Sequence, residues 1–299
     1  MHDKNINVAN FFWVGKITQY EVLSFNSFLN NGFKVNLWTY FSNWNDKNTT
    51  LLDENINLLD ASKIVSESYL MKFTQDNQKS NMSSFSNLFR FELLRQGHGW
   101  WFDSDCVCLR NVKDFERLVE DKKFVFGLEY ENYVGSSVAF ISDSYIAELL
   151  TDETYSKLNT NDFNFYWGEI GPDLITEVLE KENLIHEVYP EEFFFKVPAQ
   201  DFHLFFNADN KTKQQLFDFI DNSYVSHTWN EMFRKFLIDK EKLPPKNSFL
   251  YDQMKIYNLQ LDFDKMKSYK KYLKIRFLPF FSLLTRFISR LSLIIRNRV

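Results

Sequence analysis

The sequence predicts an α/β protein in which helices cover a central sheet of mixed, mostly parallel strands. Three observations support this class. A strand–helix–strand pattern occupies residues 8–40 at the start of the chain. Gly and Pro are scarce, with 8 and 6 among 299 residues, which disfavours an all-β protein built from many tight turns. A hydrophobic content of 44%, including 33 Phe, is enough for a large buried core.

The first three elements follow directly from the hydrophobic pattern. Residues 8–14 (VANFFWV) form a short apolar run that ends at Gly15, which is typical of a buried strand. Residues 20–29 carry apolar side chains at helical spacing, and Asn30, Asn31 and Gly32 end that helix. Residues 34–40 (KVNLWTY) alternate as a second strand. In a doubly wound sheet of this kind, ligands bind at the carboxyl ends of the strands.

The remaining elements are predicted in chain order. Residues 42–80 are polar and indicate loops and short helices. Residues 84–96 predict a helix capped by Ser84 or Ser86 and followed by Gly97 and Gly99. A strand follows at residues 100–102. Further strands are predicted at 124–128, 136–142 and near 193–197, and further helices at 172–182 and 212–222. One globular domain over residues 1–264 and a tail over residues 265–299 fit this pattern.

The two cysteines and the start of the chain indicate where in the cell the protein is located. Cys106 and Cys108 form a C-x-C pair on a predicted strand, where two ligands are too few for a zinc site, so we expect buried thiols. The amino terminus shows no basic segment followed by an apolar one, and no run of about 18 apolar residues occurs. These features predict a cytosolic protein.

The residues GWWFDSDCVCL at 99–109 place two carboxylates directly after a hydrophobic strand. Burial of an isolated carboxylate is costly, and buried charges are normally paired or bound to metal. At the carboxyl end of a strand, Asp103 and Asp105 would suit Mg²⁺ or Mn²⁺ together with substrate phosphates. The D-x-D spacing is weak evidence alone, because Asp262 and Asp264 repeat it in an ordinary polar context.

Besides the D-x-D motif, four segments of the sequence, taken in chain order, point to a known protein family. They are FFWVG at 11–15 with the following strand to residue 40, SNLFR at 86–90 leading into 97–109, WGEIGP at 167–172, and SHTWNEMFR at 226–234. Together they resemble the D-x-D glycosyltransferases of the family 32 type, which include capsule and lipopolysaccharide transferases and are related to α-1,4-glycosyltransferases. The resemblance covers roughly residues 8–255. It implies a GT-A fold with a donor-nucleotide half at about 1–120 and an acceptor half at about 121–264.

The resemblance also implies roles for the acidic pair and its neighbours. Asp105 would ligate a divalent metal, and Asp103 would contact the donor sugar or share the metal. Arg90 would reach the donor sugar or phosphate. Glu169, beside the Gly-Pro segment, is a candidate for the acceptor side, and it completes the expected catalytic group with Asp103, Asp105 and Arg90. Asn87 stands where the family usually has aspartate, which predicts a different preference for the donor sugar.

Four further residues are expected to bind the donor. Trp13 matches the aromatic residue that stacks on the nucleobase, with core packing as the alternative. His227 would act as a metal ligand or phosphate donor, and the indole of Trp229 would bind a phosphate oxygen. Asn230 completes that motif. Asp173, next to the Gly-Pro segment, is interpreted as a charge at the start of a helix.

The implied activity is metal-dependent transfer of a sugar, with retention, from a UDP-sugar to a saccharide acceptor. Mn²⁺ or Mg²⁺ is the implied cofactor. A lipid-linked acceptor and a role in capsule or lipopolysaccharide synthesis would place the protein at the inner face of a bacterial membrane. Oligomerisation is left open.

The tail supplies an expected membrane contact. Residues 265–299 carry ten Lys or Arg and no Asp or Glu. From residue 280 onward, helical placement gathers Phe, Leu and Ile side chains in one arc of about 160°, opposite Ser, Thr and Arg. This pattern is typical of an interfacial helix on anionic lipid, although packing on the chain's own body or on a dimer partner is the alternative. The rest of the chain is strongly acidic, so nucleic acid is not an expected partner.

Two rival functions remain at this stage. A phosphatase-type hydrolase also uses D-x-D, with the first aspartate as nucleophile, but there the motif normally follows the first strand. A non-catalytic scaffold that binds nucleotide sugar at the membrane is the second rival, and Asn87 favours it slightly.

Overall fold

The structure, a computed structural model, describes residues 5–74 and 82–257. The predicted tail at 265–299 and the second D-x-D at Asp262 and Asp264 lie outside the described residues. Within the described ranges, no helix combines the length and apolar character needed to cross a bilayer.

Eight strands and ten helices are described. The strands are β1 (Val8–Phe12), β2 (Lys34–Thr39), β3 (Ile56–Asp60), β4 (Trp100–Phe102), β5 (Cys106–Cys108), β6 (Phe124–Tyr130), β7 (Tyr133–Ile141) and β8 (Val225–His227). The helices are α1 (Gln19–Asn30), α2 (Asp46–Thr49), α3 (Glu67–Thr74), α4 (Met82–Arg95), α5 (Val112–Leu118), α6 (Ser144–Asn161), α7 (Pro172–Lys181), α8 (Asn210–Ile220), α9 (Asn230–Lys235) and α10 (Phe249–Tyr257).

Two compact units divide the described residues. The first contains the residues up to Lys196 together with Asn222–His227, and the second contains Val197–Asp221 and the described residues from Thr228 onward. All eight strands and α1 to α7 lie in the first unit.

The first unit is built on a six-stranded sheet in the order β3-β2-β1-β4-β7-β6. The strands β3, β2, β1 and β4 are mutually parallel, whereas β7 runs antiparallel to both β4 and β6. A small second sheet pairs β5 with β8 in antiparallel fashion. The predicted α/β class with a mixed, mostly parallel sheet is therefore confirmed.

Aromatic side chains cover both faces of this sheet. Successive residues of a strand point to opposite faces, and β1 uses Phe11 on one face and Phe12 on the other. The Phe11 ring lies 5.0 Å from Phe25 of α1, and the Phe12 ring stacks 4.6 Å from Phe89 of α4. Helix α4 is thereby fixed against the sheet, with its polar residues near the end of β4.

The second unit has its own aromatic core. The helix α9 and the 3-10 segment Ala199–Phe206 pack through Phe206 and Phe233, whose ring centroids lie 5.0 Å apart. Phe249 of α10 packs on Phe205 at 5.4 Å. The ion pair of Lys213 with Asp252 joins α8 to α10.

Most predicted elements are confirmed with shifts of a few residues, and three predictions need correction. Residues 42–80 contain an edge strand, β3, besides short helices. Helix α4 begins at Met82, so neither Ser84 nor Ser86 is its cap.

The strand predicted near residues 193–197 is also wrong. Glu191–Phe193 forms a 3-10 turn there. A Cβ added at Gly127 would lie 2.5 Å from the Phe194 ring, and one at Gly135 would lie 2.4 Å from the Phe195 ring. The two rings therefore fill the space above the β6–β7 hairpin, so this apolar segment packs on the sheet instead of joining it.

Candidate functional site

The turn between β4 and β5 carries both aspartates of the D-x-D motif. The backbone N–H of Asp103 donates to the Ser137 carbonyl of β7 at 2.9 Å, and the N–H of Cys106 donates to the Asp103 carbonyl at 3.0 Å. These bonds anchor the turn where β4 ends. Two carboxylates are thus held at the carboxyl end of the parallel strands, where sheets of this type bind ligands.

Asp103 is fixed by two donors from the first unit's core. Its Oδ1 accepts from Arg90 Nη2 at 2.8 Å and from Trp101 Nε1 at 2.8 Å. The Arg90 guanidinium also lies 5.0 Å from the Trp101 ring centroid. The Arg90 side chain is 2% exposed and that of Asp103 is 28% exposed. Arg90 is therefore a buried cation whose charge is balanced by a carboxylate that still reaches the surface.

Asn87 continues this network towards the Gly-Pro segment. Arg90 Nη1 donates to Asn87 Oδ1 one helical turn earlier in α4. On the other side, a Cβ at Gly171 would lie only 2.3 Å from Asn87 Nδ2. Gly171 is the residue before α7, and Pro172 begins that helix. A side chain at residue 171 would therefore displace the Asn87 amide, which occupies that space.

Asp105 forms a second ion pair with His227. His227 Nε2 lies 3.1 Å from Asp105 Oδ1, and the two side chains are 7% and 11% exposed. Strand β8 places His227 directly opposite Cys106 of β5. The Ser137 hydroxyl lies 3.3 Å from the same His227 nitrogen. Burial lowers the pKa of His227, but Asp105, Asp103 and Glu129 outweigh it, so the pKa is raised.

The donor atoms of Asp105, Cys106 and His227 lie within 4.8 Å of one another. Carboxylate oxygen and imidazole nitrogen are both ligands for divalent cations. Burial raises the pKa of the Cys106 thiol well above its usual value, so Cys106 is a poor ligand as a thiol. Asp105 and His227 therefore fit a divalent cation, with further ligands left to water or substrate. Asp103 is committed through Oδ1 to Arg90 and Trp101.

Two residues at this site were not identified from the sequence. Ser137 of β7 contacts both Asp103 and His227 through its carbonyl and hydroxyl. Glu129 of β6 acts electrostatically on His227, and burial raises the pKa of Glu129 to about 7 while His227 lowers it. A carboxylate in the apolar run FVFGLEY was the available signal for Glu129.

Two further predicted site residues, Trp13 and Glu169, lie in the segments that follow β1 and precede α7. Trp13 follows β1, is half-buried, and donates through Nε1 to the Lys16 carbonyl at 3.1 Å. Glu169 accepts from Asn161 Nδ2 at 2.8 Å and from the backbone N–H of Tyr166 at 3.2 Å. Glu169 therefore braces the segment between α6 and α7.

Trp229 and Asn230 belong to the second unit, whereas Asn87, Arg90, Asp103, Asp105 and His227 come together in the first. Trp229 adopts a left-handed backbone conformation with φ 63°, and its indole N–H donates to the Val197 carbonyl at 2.8 Å. Asn230 is the first residue of α9.

The sequence of the second half of the chain matches a known family. Residues 163–254 match the alpha 1,4-glycosyltransferase conserved region. This range includes the Gly-Pro segment, His227 and Trp229, and the D-x-D turn lies outside it. A curated relative, lactosylceramide 4-alpha-galactosyltransferase of Rattus norvegicus, is 24% identical over 159 residues. That match covers 49% of this chain and 40% of the relative, so the chain spans less than half of the relative's length.

Solved structures of glycosyltransferases are also similar in shape. The galactosyltransferase LgtC, solved with donor and acceptor sugar analogues, aligns with TM-score 0.47 and 12% identity over 85% of this chain and 96% of that chain. The apo form of the glycosyltransferase GlyE from Streptococcus pneumoniae aligns with TM-score 0.47 and 14% identity over 86% and 61% of the two chains. The family match confirms the resemblance predicted from the sequence, since residues 163–254 of this chain match the alpha 1,4-glycosyltransferase conserved region.

Proposed function

We propose that this protein is a metal-dependent glycosyltransferase that moves a sugar from a nucleotide-sugar donor to a saccharide acceptor. The observation that carries the proposal is the buried Asp105–His227 pair, held 3.1 Å apart at the end of β4 beside the Arg90–Asp103 pair. The match of residues 163–254 to a glycosyltransferase family supports the same reaction. The name of the curated relative makes galactose the first sugar to test, and a UDP-sugar is proposed by resemblance to the family.

The site offers one group for each task that the reaction requires. A divalent cation held by Asp105 and His227 would neutralise the charge that develops on the departing nucleoside diphosphate. Asp103 presents its exposed edge to the donor sugar, and Arg90 keeps that carboxylate in place. Since Arg90 is almost fully buried, its role is to position Asp103 and Asn87 rather than to bind phosphate directly. Retention of the anomeric configuration is part of the proposal by resemblance to the family.

The proposal also includes the location of the protein in the cell and the kind of acceptor that it uses. We place the protein at the cytoplasmic face of the membrane, where residues 265–299, with ten basic side chains and no acidic ones, would contact anionic lipid. A lipid-linked saccharide would then be the acceptor, in the synthesis of capsule, lipopolysaccharide or a related surface glycan.

The test measures nucleoside diphosphate release from UDP-galactose, UDP-glucose, UDP-N-acetylglucosamine and GDP-mannose with lactose as acceptor. We expect turnover of a UDP-sugar that is lost in EDTA and restored by Mn²⁺ or Mg²⁺. Asp105→Ala should abolish that turnover, while Asp152→Asn, at an exposed aspartate of α6, should retain it. Turnover in Asp105→Ala equal to that of the Asp152→Asn control would contradict the proposal.

The rival functions give different results in the same assay. A phosphatase-type hydrolase would release inorganic phosphate instead of nucleoside diphosphate. A non-catalytic scaffold would bind a nucleotide sugar in equilibrium dialysis without turnover at any metal concentration.

A further inference from the structure

Three large aromatic side chains of the first unit are exposed close to the segment between α6 and α7. Tyr130 is 44% exposed, Tyr166 is 55% exposed and Trp167 is 61% exposed. Tyr130 ends β6, and the other two precede the Gly-Pro segment. Exposed aromatic rings that lie together mark a binding surface more often than rings scattered singly.

Contacts with Tyr133 and Asp173 hold two of these rings, those of Tyr130 and Tyr166. The Tyr130 and Tyr133 rings stack 4.8 Å apart at 18°. Tyr133 and Tyr166 both lie near Asp173 in the first turn of α7, and after burial this carboxylate contributes to the raised pKa of each tyrosine. A surface whose rings are already ordered loses little entropy when a ligand binds.

Backbone contacts lock the same arrangement from below. Gly168 has φ +95°, and a Cβ at this residue would lie 3.3 Å from the Tyr133 hydroxyl and 3.7 Å from Asp173 Oδ1. The segment that carries Trp167 therefore rests on the Tyr133–Asp173 pair. Asp173, interpreted from the sequence as a charge at the start of a helix, also positions two aromatic rings.

This aromatic group borders the candidate site. Three residues after Gly168, the chain reaches Gly171, whose backbone touches the Asn87 amide and through it the Arg90–Asp103 pair. On the other side, Glu129 precedes Tyr130 and acts electrostatically on both Tyr133 and His227. The segment that carries Tyr166 and Trp167 therefore leads directly to the residues that hold the proposed donor site.

We propose that Tyr130, Tyr133, Tyr166 and Trp167 form an aromatic platform that binds a sugar ring of the acceptor. This inference rests on the proposed glycosyltransferase function and assigns its acceptor side. A pyranose has an apolar C–H face that buries well against an aromatic ring, and its hydroxyls stay free to bond polar groups at the edge.

The charge around the platform separates a sugar from other aromatic-binding ligands. The carboxylates of Glu169 and Asp173 lie at or next to the rings. Negative charge at this edge disfavours the phosphates of a nucleotide, whereas a neutral saccharide binds without that repulsion and can donate hydroxyl protons to carboxylates. The platform therefore fits an uncharged sugar.

The experiment titrates lactose and maltose against the full-length protein and follows binding by saturation-transfer NMR. The variants are Trp167→Ala and Trp167→Phe, with Tyr145→Ala as a matched control because Tyr145 is a 54% exposed tyrosine on α6. We expect saturable binding of at least one disaccharide, weakened by roughly three- to tenfold in Trp167→Ala, the effect of one aromatic contact. Trp167→Phe should retain most of the affinity, and Tyr145→Ala all of it.

Steady-state kinetics then separate this inference from the proposed function. In Trp167→Ala the KM for the acceptor should rise by a similar factor, while the KM for the nucleotide sugar stays unchanged. Equal sugar binding in Trp167→Ala and Tyr145→Ala, or a wild-type protein that binds neither disaccharide, would overturn the aromatic platform. If no nucleotide sugar is turned over but Trp167-dependent sugar binding remains, the glycosyltransferase proposal fails and the sugar-binding surface stands.

Discussion

Two buried polar clusters of the first unit serve different ends. Asn10 in β1 is fully buried, and each polar atom of its amide is used twice. Its Nδ2 donates to the carbonyls of His98 and Trp100 at 2.9 Å, and its Oδ1 accepts from Trp38 Nε1 and Asn36 Nδ2 at 2.9 and 3.0 Å. The D-x-D turn is instead charged, with two carboxylates that are each held by a cation and partly exposed.

The contrast separates a polar cluster that builds the fold from one that sustains a reaction. Asn10 is neutral and fully bonded, so it connects β1, β2 and β4 without an unpaired charge. Asp103 still reaches the surface, with 28% of its side chain exposed, and buried ion pairs add little net stability compared with apolar packing. We therefore expect changes at Asn10 to act on stability and changes at Asp105 to act on turnover.

The largest expected effect is on turnover in Asp105→Asn. This change keeps the shape of the side chain but removes the charge needed to hold a divalent cation, so kcat should fall by about 10³-fold or more. Because the Asp105–His227 pair is almost fully buried, losing one of its charges also costs stability, and we expect the free energy of unfolding to fall by roughly 1–3 kcal/mol. Activity assays and urea unfolding of the same preparation measure the two quantities. Unfolding losses that account for the missing activity would erase the contrast with Asn10.

Asn10→Leu is the reciprocal experiment. The substitution is similar in volume but leaves two donors and two acceptors without their partner, so we expect a loss of roughly 3 kcal/mol in the free energy of unfolding. The KM for the nucleotide sugar should remain within about twofold in the protein that stays folded. Asn57→Ala, at an exposed asparagine of β3 bonded only at the edge of this row, serves as control. A stable Asn10→Leu variant with impaired turnover would reverse the assignment of the two clusters.

The sequence predicted the parts of the fold that carry strong apolar patterns. Residues of β1, α1, β2 and α4 were recognised because their side chains pack on the sheet at regular spacing. Helix α6 was missed because its second half, TDETYSKLNTN, shows little apolar periodicity. Strand β8 has three residues and gains its structure only by pairing with β5. The apolar run at 193–197 was wrongly predicted to be a strand. Its Phe194 and Phe195 rings instead fill the space above Gly127 and Gly135, which are distant in sequence.

The candidate site likewise contains some residues that the sequence predicts and others that it does not. Asp103, Asp105, Arg90 and His227 were predicted from motifs and are brought together by the first unit. Glu129 and Ser137 could not be predicted, because the pairing of β6 with β7 shifts register twice and only the folded hairpin determines which side chains face His227.

The pH dependence of stability sharpens the comparison, since Glu129 belongs to the charged cluster and Asn10 cannot titrate. The folded protein raises the pKa of Glu129 from 4.5 to about 7, mainly by burial. The unfolded chain therefore loses this proton first, and stability present below pH 4.5 is lost as the pH rises towards 7. Relative to Glu129→Gln, the wild type should become less stable across this window.

Urea unfolding of both proteins at several pH values between 4 and 8 measures this difference. Glu148→Gln, at an exposed glutamate of α6, should show no such trend against the wild type. A constant difference between the wild type and Glu129→Gln at all pH values would mean that the pKa of Glu129 is the same in the folded and the unfolded protein.

The smallest expected effect comes from Gly171→Ala, which tests how tightly the charged cluster is held from outside. The added Cβ would lie 2.3 Å from Asn87 Nδ2, so the amide must move, and its bond to Arg90 must lengthen or break. Because the obstructing group is the end of a side chain, we expect a loss of only about 1 kcal/mol in stability and a rise of a few-fold in the KM for the nucleotide sugar. Asn87→Ala in the Gly171→Ala background removes the overlap. A double-mutant cycle should then give a coupling of about 1 kcal/mol in favour of the double variant. Additive effects would mean that residue 171 does not act through Asn87, and that the Gly-Pro segment lies beside the Arg90–Asp103 pair without constraining it.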